Sequence, residues 1–106
     1  AYSPMIYTNN IYEFTQKVNK SYTWYNPERK VPNIPYVGIG NVRQVFIDVN
    51  TFIEELKILK QYKTDGFIIF EYGGPEGVPG VTDIRPYLQA LKESGVLENW
   101  DHLKKD

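Results

Sequence analysis

The sequence predicts an α/β domain built from three strand–helix units on a parallel sheet. Apolar segments open near residues 2, 31 and 65, roughly 30 to 35 residues apart, the length of a βα unit. The first two of the segments that follow them show a helical apolar period, and a third follows a Gly- and Pro-rich loop. The run Phe67-Ile68-Ile69-Phe70, bounded by Asp65-Gly66 and Gly73-Gly74, reads as a strand buried on both faces.

Taken in order, Tyr2-Ser3-Pro4-Met5-Ile6-Tyr7-Thr8 is a short strand. Pro4 lacks an N–H, so this strand belongs at an edge, or Pro4 at its start. Asn10 is placed to cap a helix, with Glu13 in the capping-box position. Ile11, Phe14, Val18 and Tyr22 make that helix's stripe, and Asn26-Pro27 ends it. A second, irregular strand covers Val31 to Val37 and ends in Gly38-Ile39-Gly40, weakened by Pro32 and Pro35. Residues 41–46 read as a loop before a helix capped by Asn50. Its apolar face is Phe52, Leu56 and Leu59, widened by Ile53, with Glu54, Glu55, Lys57 and Lys60 on or near the wet side. The 67–70 run is expected to be the most buried strand. A third helix follows the loop 73–80, capped by Thr82 or Asp83, with Pro86 in its first turn and Gly95 just past its end. Ile84, Tyr87, Leu88 and Leu91 form its stripe. Residues 1–97 thus form one (βα)3 unit, and 98–106 a polar C-terminal tail or short final turn.

Composition removes several function classes. A chain of 106 residues with a formal charge of −1 suits one small domain and carries no basic footprint for nucleic acid. No apolar stretch reaches the roughly 20 residues of a membrane span. Without cysteine, and with His102 as the only histidine, a thiolate site, a histidine-based triad or a multi-histidine metal centre is not expected. The glycine pairs fit neither G-x-G-x-x-G nor a P-loop, so no cofactor is expected. The start at Ala1 reads as a chain begun mid-fold or a processed mature form. Nine Tyr, two Trp and five Phe can fill a core or line a sugar-binding cleft.

The segments Ser3-Pro4-Met5-Ile6-Tyr7-Thr8, Val31 to Gly40 and Asp65-Gly66-Phe67-Ile68-Ile69-Phe70-Glu71-Tyr72-Gly73 resemble the last three βα units of a glycoside-hydrolase-like (β/α)8 barrel. The resemblance spans about Tyr2 to Leu97. It implies a carbohydrate-active, extracytoplasmic protein acting on polysaccharide, with this chain as a fragment or one part of an assembly, since a whole barrel takes about 250 residues. It implies further that the chain by itself is inactive, and that it self-associates or meets a complementary chain completing the sheet. A small doubly wound, flavodoxin-like sheet binding a phosphorylated ligand is the alternative architecture. A non-catalytic carbohydrate-binding or protein-interaction module is the alternative role.

In parallel α/β folds, ligands bind at the carboxyl ends of the strands, and candidates are chosen on that rule. Glu71 is the candidate catalytic carboxyl, because glycoside hydrolysis uses a pair of them. An ion-paired Glu71, beside Arg85 or Arg43, is the plainer reading. Tyr7, Tyr36 and Tyr72 are candidate sugar-stacking residues, or packing residues of a barrel, with Trp24 an outlier. Asn9 is a candidate donor to sugar hydroxyls. Asp48, Glu76 and Asp83 lie in or near loops, Asp83 reading best as a cap. No second carboxyl partner for Glu71 is identifiable, and no metal site.

Overall fold

The computed structural model describes residues 2–25, 27–42, 45–71 and 84–100. The elements are β1 (Met5–Ile6), α1 (Ile11–Lys20) with a π-helical turn (Ser21–Tyr25), β2 (Tyr36–Val42), β3 (Val45–Ile47), α2 (Val49–Gln61), β4 (Ile68–Glu71) and α3 (Arg85–Ser94). This is an α/β domain with a mixed four-stranded sheet.

The three expected strands are parallel neighbours, in the order β1–β2–β4. Met5 and Ile68 both pair with Tyr36, and Ile6 and Ile69 both pair with Val37. The wholly parallel sheet needs one correction. Residues 41–46, expected to be a loop, hold the antiparallel pairing of β2 with β3, in which Val42 faces Val45 and Gly40 faces Ile47. The β-branched and aromatic residues Val42, Val45, Phe46 and Ile47 favour that hairpin. Gly40 takes a left-handed φ of 62° where β2 leaves the parallel ladder and enters it, a conformation glycine adopts without Cβ strain.

The expectation that residues 67–70 form the most buried strand is also overturned. β2 is the central strand, with Val37 and Ile39 fully covered, whereas β4 has one neighbour among the described residues and Ile68 is 38% exposed. The prolines that seemed to weaken β2 precede it. Pro35 stands just before Tyr36, and its carbonyl still accepts from the Ile68 amide at 2.8 Å. The ladder therefore starts after the missing donors. β1 is an edge with Pro4 just ahead of it, as its sequence predicts.

α1 packs on α2, α2 packs on α3, and α1 and α2 lie on β1 and β2 respectively. Helices that touch one another in sequence share one face of the sheet. That layer and the sheet rows Ile6–Val37–Ile69 and Ile39 enclose one core with Phe14, Val18, Phe52, Leu56, Leu59 and Tyr87. The other face carries the alternate residues, Met5 (60% exposed), Tyr36 and Ile68.

α1 follows its predicted stripe, and the Glu13 amide donates to the Asn10 cap at 3.0 Å. α2 differs in two ways. Its cap is Asp48, not Asn50: the Thr51 amide donates to the Asp48 carboxylate at 2.7 Å and holds it below the usual carboxylate range. Glu55 does not lie near the wet side but is fully buried. Positions 52, 55, 56 and 59 fall on one helical face, and burial of Ile58 and Leu59 widens that face toward Glu55. Neither carboxyl oxygen of Glu55 has a hydrogen-bond partner, and burial pushes its pKa up to about 9. At the start of α3, Thr82 and Asp83 lie outside the described residues. At its end Gly95 is left-handed at φ 67° and Val96 tucks into the core.

Beyond Leu97 the chain turns once more, and Trp100 is seated under the sheet. Its indole N–H donates to the Thr64 carbonyl at 2.9 Å, and its ring lies 5.5 Å from that of Phe67. Residues 101–106 lie outside the described residues. Trp100→Ala is expected to lower the unfolding free energy of the chain by about 3–5 kcal/mol, the usual loss for deleting a buried large aromatic. Trp100→Phe, which keeps most of the ring but orphans the Thr64 carbonyl, should lose about 1–3 kcal/mol. Urea denaturation reads both, and a Trp100→Ala loss below about 1 kcal/mol would show that the tail is not anchored.

Candidate functional site

The amino and carboxyl ends of the sheet are built from different chemistry. At the amino end Asn33 and Asp65 clasp each other: the Asn33 amide donates to the Asp65 carboxylate at 2.8 Å, and the Asp65 amide to the Asn33 carbonyl at 3.0 Å. The Asn33 side-chain amide donates to the Ser21 hydroxyl at 3.0 Å. The Arg29 guanidinium lies 3.7 Å from the Tyr22 ring centre and donates to the carbonyls of Tyr62 and Lys63. Burial is the main cause that raises the Tyr22 phenol. Each of these contacts ties a connection to the sheet, while the buried Tyr22 hydroxyl and Asn33 Oδ1 have no hydrogen-bond partner.

At the carboxyl end, β1 delivers Tyr7, Thr8 and Asn9. One residue beyond the Ile6–Val37 pair, Tyr7 falls in register beside Gly38, which pairs with Phe70 on the far side. With only a hydrogen on Gly38 between them, the rings of Tyr7 and Phe70 stack, with centroids 5.3 Å apart and planes at 26°. The buried Thr8 hydroxyl accepts from the Asn10 amide at 3.2 Å and donates to Glu13 at 3.3 Å. It thereby takes the amide that Glu13 would meet in a capping box. The Glu13 carboxylate turns instead to Lys17 at 2.9 Å, and Lys17 is the chief cause that lowers its pKa. The Asn9 side-chain amide donates to the Phe46 carbonyl at 3.1 Å, fastening β3 to the end of β1.

Tyr87 completes this end from α3. Its hydroxyl donates to the Ile47 carbonyl at 2.5 Å and accepts from the Gly40 amide at 3.1 Å, bracing the point where β2 enters the hairpin. Burial is the largest cause that raises its pKa, with the Asp48 carboxylate adding to it against the Gly40 amide. In sequence Tyr87 is one more member of an apolar stripe. The only signal of its role is a hydroxyl at a position that Phe or Leu would fill.

The sequence-chosen residues thus separate. Tyr7 and Asn9 stand together at the carboxyl end. Tyr36, expected there as well, is the first residue of β2 and pairs with Met5 and Ile68 at the amino end of the sheet, about 13 Å along the strand from Gly40. The strand starts only after Pro35, so its carboxyl end falls at Gly40 and beyond. Glu71 closes β4 in register with Ile39; its side chain lies outside the described residues, as does Tyr72. Phe67 and Ile69, the residues of the same strand parity, pack on the helix-side core. Ile68 and Phe70 take the other parity. Trp24, 74% exposed on the π-helical turn beside Lys20, precedes the segment that starts β2 and belongs to the amino end. Asp48 is a cap, while Glu76, Asp83 and Arg43 lie outside the described residues. Among the described residues no group of three metal-binding side chains converges, and no helix is long and apolar enough to cross a membrane.

No family model, curated protein or solved structure matches this chain.

Tyr87→Phe keeps the ring and removes the hydroxyl that serves Gly40 and Ile47. Two buried backbone groups lose their partner, so the chain is expected to lose about 1–3 kcal/mol of stability. Amide exchange at Gly40 should accelerate. Unchanged stability together with unchanged Gly40 protection would refute the bracing role.

Proposed function

We propose that this chain is a wall segment of a larger glycoside-hydrolase-like barrel protein that acts on polysaccharide. The observation that carries the architecture is one-sided coverage: parallel strands in sequential order, helices in one layer, and an opposite face that no described helix covers. In a (β/α)8 barrel each unit shows this arrangement, and inward side chains stack in layers. That face fits the pattern, with Met5, Tyr36 and Ile68 in one row and Tyr7 and Phe70 flanking Gly38 in the next. A doubly wound sheet needs helices on both faces and gains no support from this layer.

The β1 edge of the parallel ladder also suits completion by a further strand. The Tyr2 amide donates to the Pro32 carbonyl, the Tyr2 carbonyl accepts from the Ile34 amide, and the Pro4 carbonyl accepts from the Tyr36 amide, which leaves Ser3 and Met5 directed outward by alternation. A depression lined by Tyr2, Pro4, Met5, Ile6, Lys17 and Lys20 runs along that edge of β1, where another strand and its helix would sit. The partner is accordingly a complementary part of the barrel, or a second copy.

The carbohydrate assignment rests on the resemblance of the three strand segments and on the Tyr7–Phe70 pair beside Asn9 at the functional end. The second reading is a non-catalytic carbohydrate-binding wall built on the Tyr7–Phe70 pair. Two substitutions in the complete barrel protein separate the readings. Glu71→Gln is expected to reduce turnover about 10²–10⁴-fold if Glu71 is a general acid or base, and less than about tenfold if it only builds the wall. Tyr7→Ala should weaken oligosaccharide binding about tenfold under both, by loss of a stacking ring. Full turnover and full affinity in both variants would defeat the proposal. The 106-residue chain alone is expected to self-associate in ultracentrifugation, and a monodisperse monomer at micromolar concentration would count against the wall-segment architecture.

A further inference from the structure

Glu55 sits at the middle of α2, on the face that lies against the sheet, with no exposed surface and no partner for either carboxyl oxygen. Among the described residues, no counter-charge reaches it from the elements packed on α2. The buried residues of α1 are Phe14 and Val18, while Glu13 and Lys17 pair with each other at the surface and Lys20 lies near Trp24. Tyr22, on the turn that follows, stacks with Tyr62. From α3 the buried group is Tyr87, whose hydroxyl is engaged, and Arg85, Lys92 and Glu93 are exposed. β2 contributes Val37 and Ile39. On α2 itself Glu54 and Lys57 pair outward, and Lys60 donates to the Glu98 carbonyl.

We propose that Glu55 is a proton-operated latch that holds the helix layer on the sheet. With the proton on, the neutral carboxyl is tolerated and α2 lies flat on β2. When the proton leaves to solvent base, the carboxylate meets no cation and no hydrogen-bond partner among the described residues. It can be solvated only if α2 lifts, which parts Phe52, Leu56 and Leu59 from Val37 and Ile39. Burial is the one cause acting on the group and raises its pKa to about 9. The folded state therefore keeps a proton that the unfolded chain releases near 4.5. The stabilising contribution is complete below about pH 4.5 and is lost as pH rises toward 9. Across that window the unfolded-to-folded ratio rises about tenfold per pH unit.

The test compares urea unfolding of the 106-residue chain at pH 5.5, 7.0 and 8.5 with that of Glu55→Gln and Glu55→Leu, alongside a carbon-NMR titration of the Glu55 carboxyl. The wild-type unfolding constant is expected to rise close to tenfold per pH unit, and those of both variants to stay within about threefold over the whole range. The carboxyl resonance should still be in its protonated position at pH 7. Because every other ionisable group is shared by all three proteins, only the difference between them reports Glu55. If the wild-type chain is already loose at pH 7, acidification to 5.5 or the Glu55→Leu change should close it. Parallel pH dependence in all three proteins, a Glu55 titration midpoint near 4.5, or a chain that stays loose in every form at pH 5.5 would overturn the proposal.

Discussion

The parallel ladder exists because β2 has neighbours on both sides. Tyr36 and Val37 each pair with one residue of β1 and one of β4, so neither flanking strand holds its place without β2. The hairpin partner β3 also hangs from β2, beyond the point where the ladder ends at Ile39 and Glu71. Side-chain alternation then divides β2 between two environments. Val37 and Ile39 meet the helices, and Tyr36 and Gly38 belong to the uncovered side. α1 carries the chain from β1 to its neighbour β2, α2 carries it from the β2–β3 hairpin to β4 on the other side of β2, and α2 touches both α1 and α3, so the helices lie together on one face.

From this division follows the contrast between the two ends of the sheet. At the amino end, polar groups are spent on one another: the Asn33–Asp65 clasp, Ser21, and Arg29 over Tyr22. Trp100 reaches the same region through Thr64. The carboxyl end is built from rings and single hydroxyls. Tyr7 and Phe70 can meet only because Gly38 lies between them, and Tyr87 steadies the exit of β2 from α3.

How much of this was legible in the sequence depends on whether a feature is local. The Asn10 cap, the Phe14–Val18–Tyr22 stripe, the left-handed Gly95 and the edge position of a Pro4-bearing strand all follow from residues a few positions apart. The α/β class follows from the spacing of the strands. What was not legible depends on pairings across the chain. The order β1–β2–β4 makes β2 central, and no count of apolar residues within 67–70 reveals that the run has one neighbour. The β3 hairpin was hidden because Asn41 and Arg43-Gln44 interrupt its apolar pattern. Tyr36 was assigned to the wrong end because the prolines were read as interruptions within a strand, when they mark the approach to its start. Glu55 was read by residue type. Its burial is set by how α2 is rotated against the sheet, and that rotation is chosen by Phe52, Leu56, Ile58 and Leu59 together.

The bare face and the buried Glu55 bear on one another. Hydrophobic stabilisation grows with the apolar area removed from water, and a small sheet covered on one side removes less than one covered on both. A chain of this size has a narrow margin between burial and the entropy of ordering it. One carboxyl that must stay neutral is then a large fraction of the balance, where in a completed barrel it would be a small one. Covering the Met5–Tyr36–Ile68 row would widen the margin without touching α2, so the proton on Glu55 governs the fold most strongly when the sheet stands alone. On the proposed latch, the pH sensitivity of the helix layer falls as that row is covered.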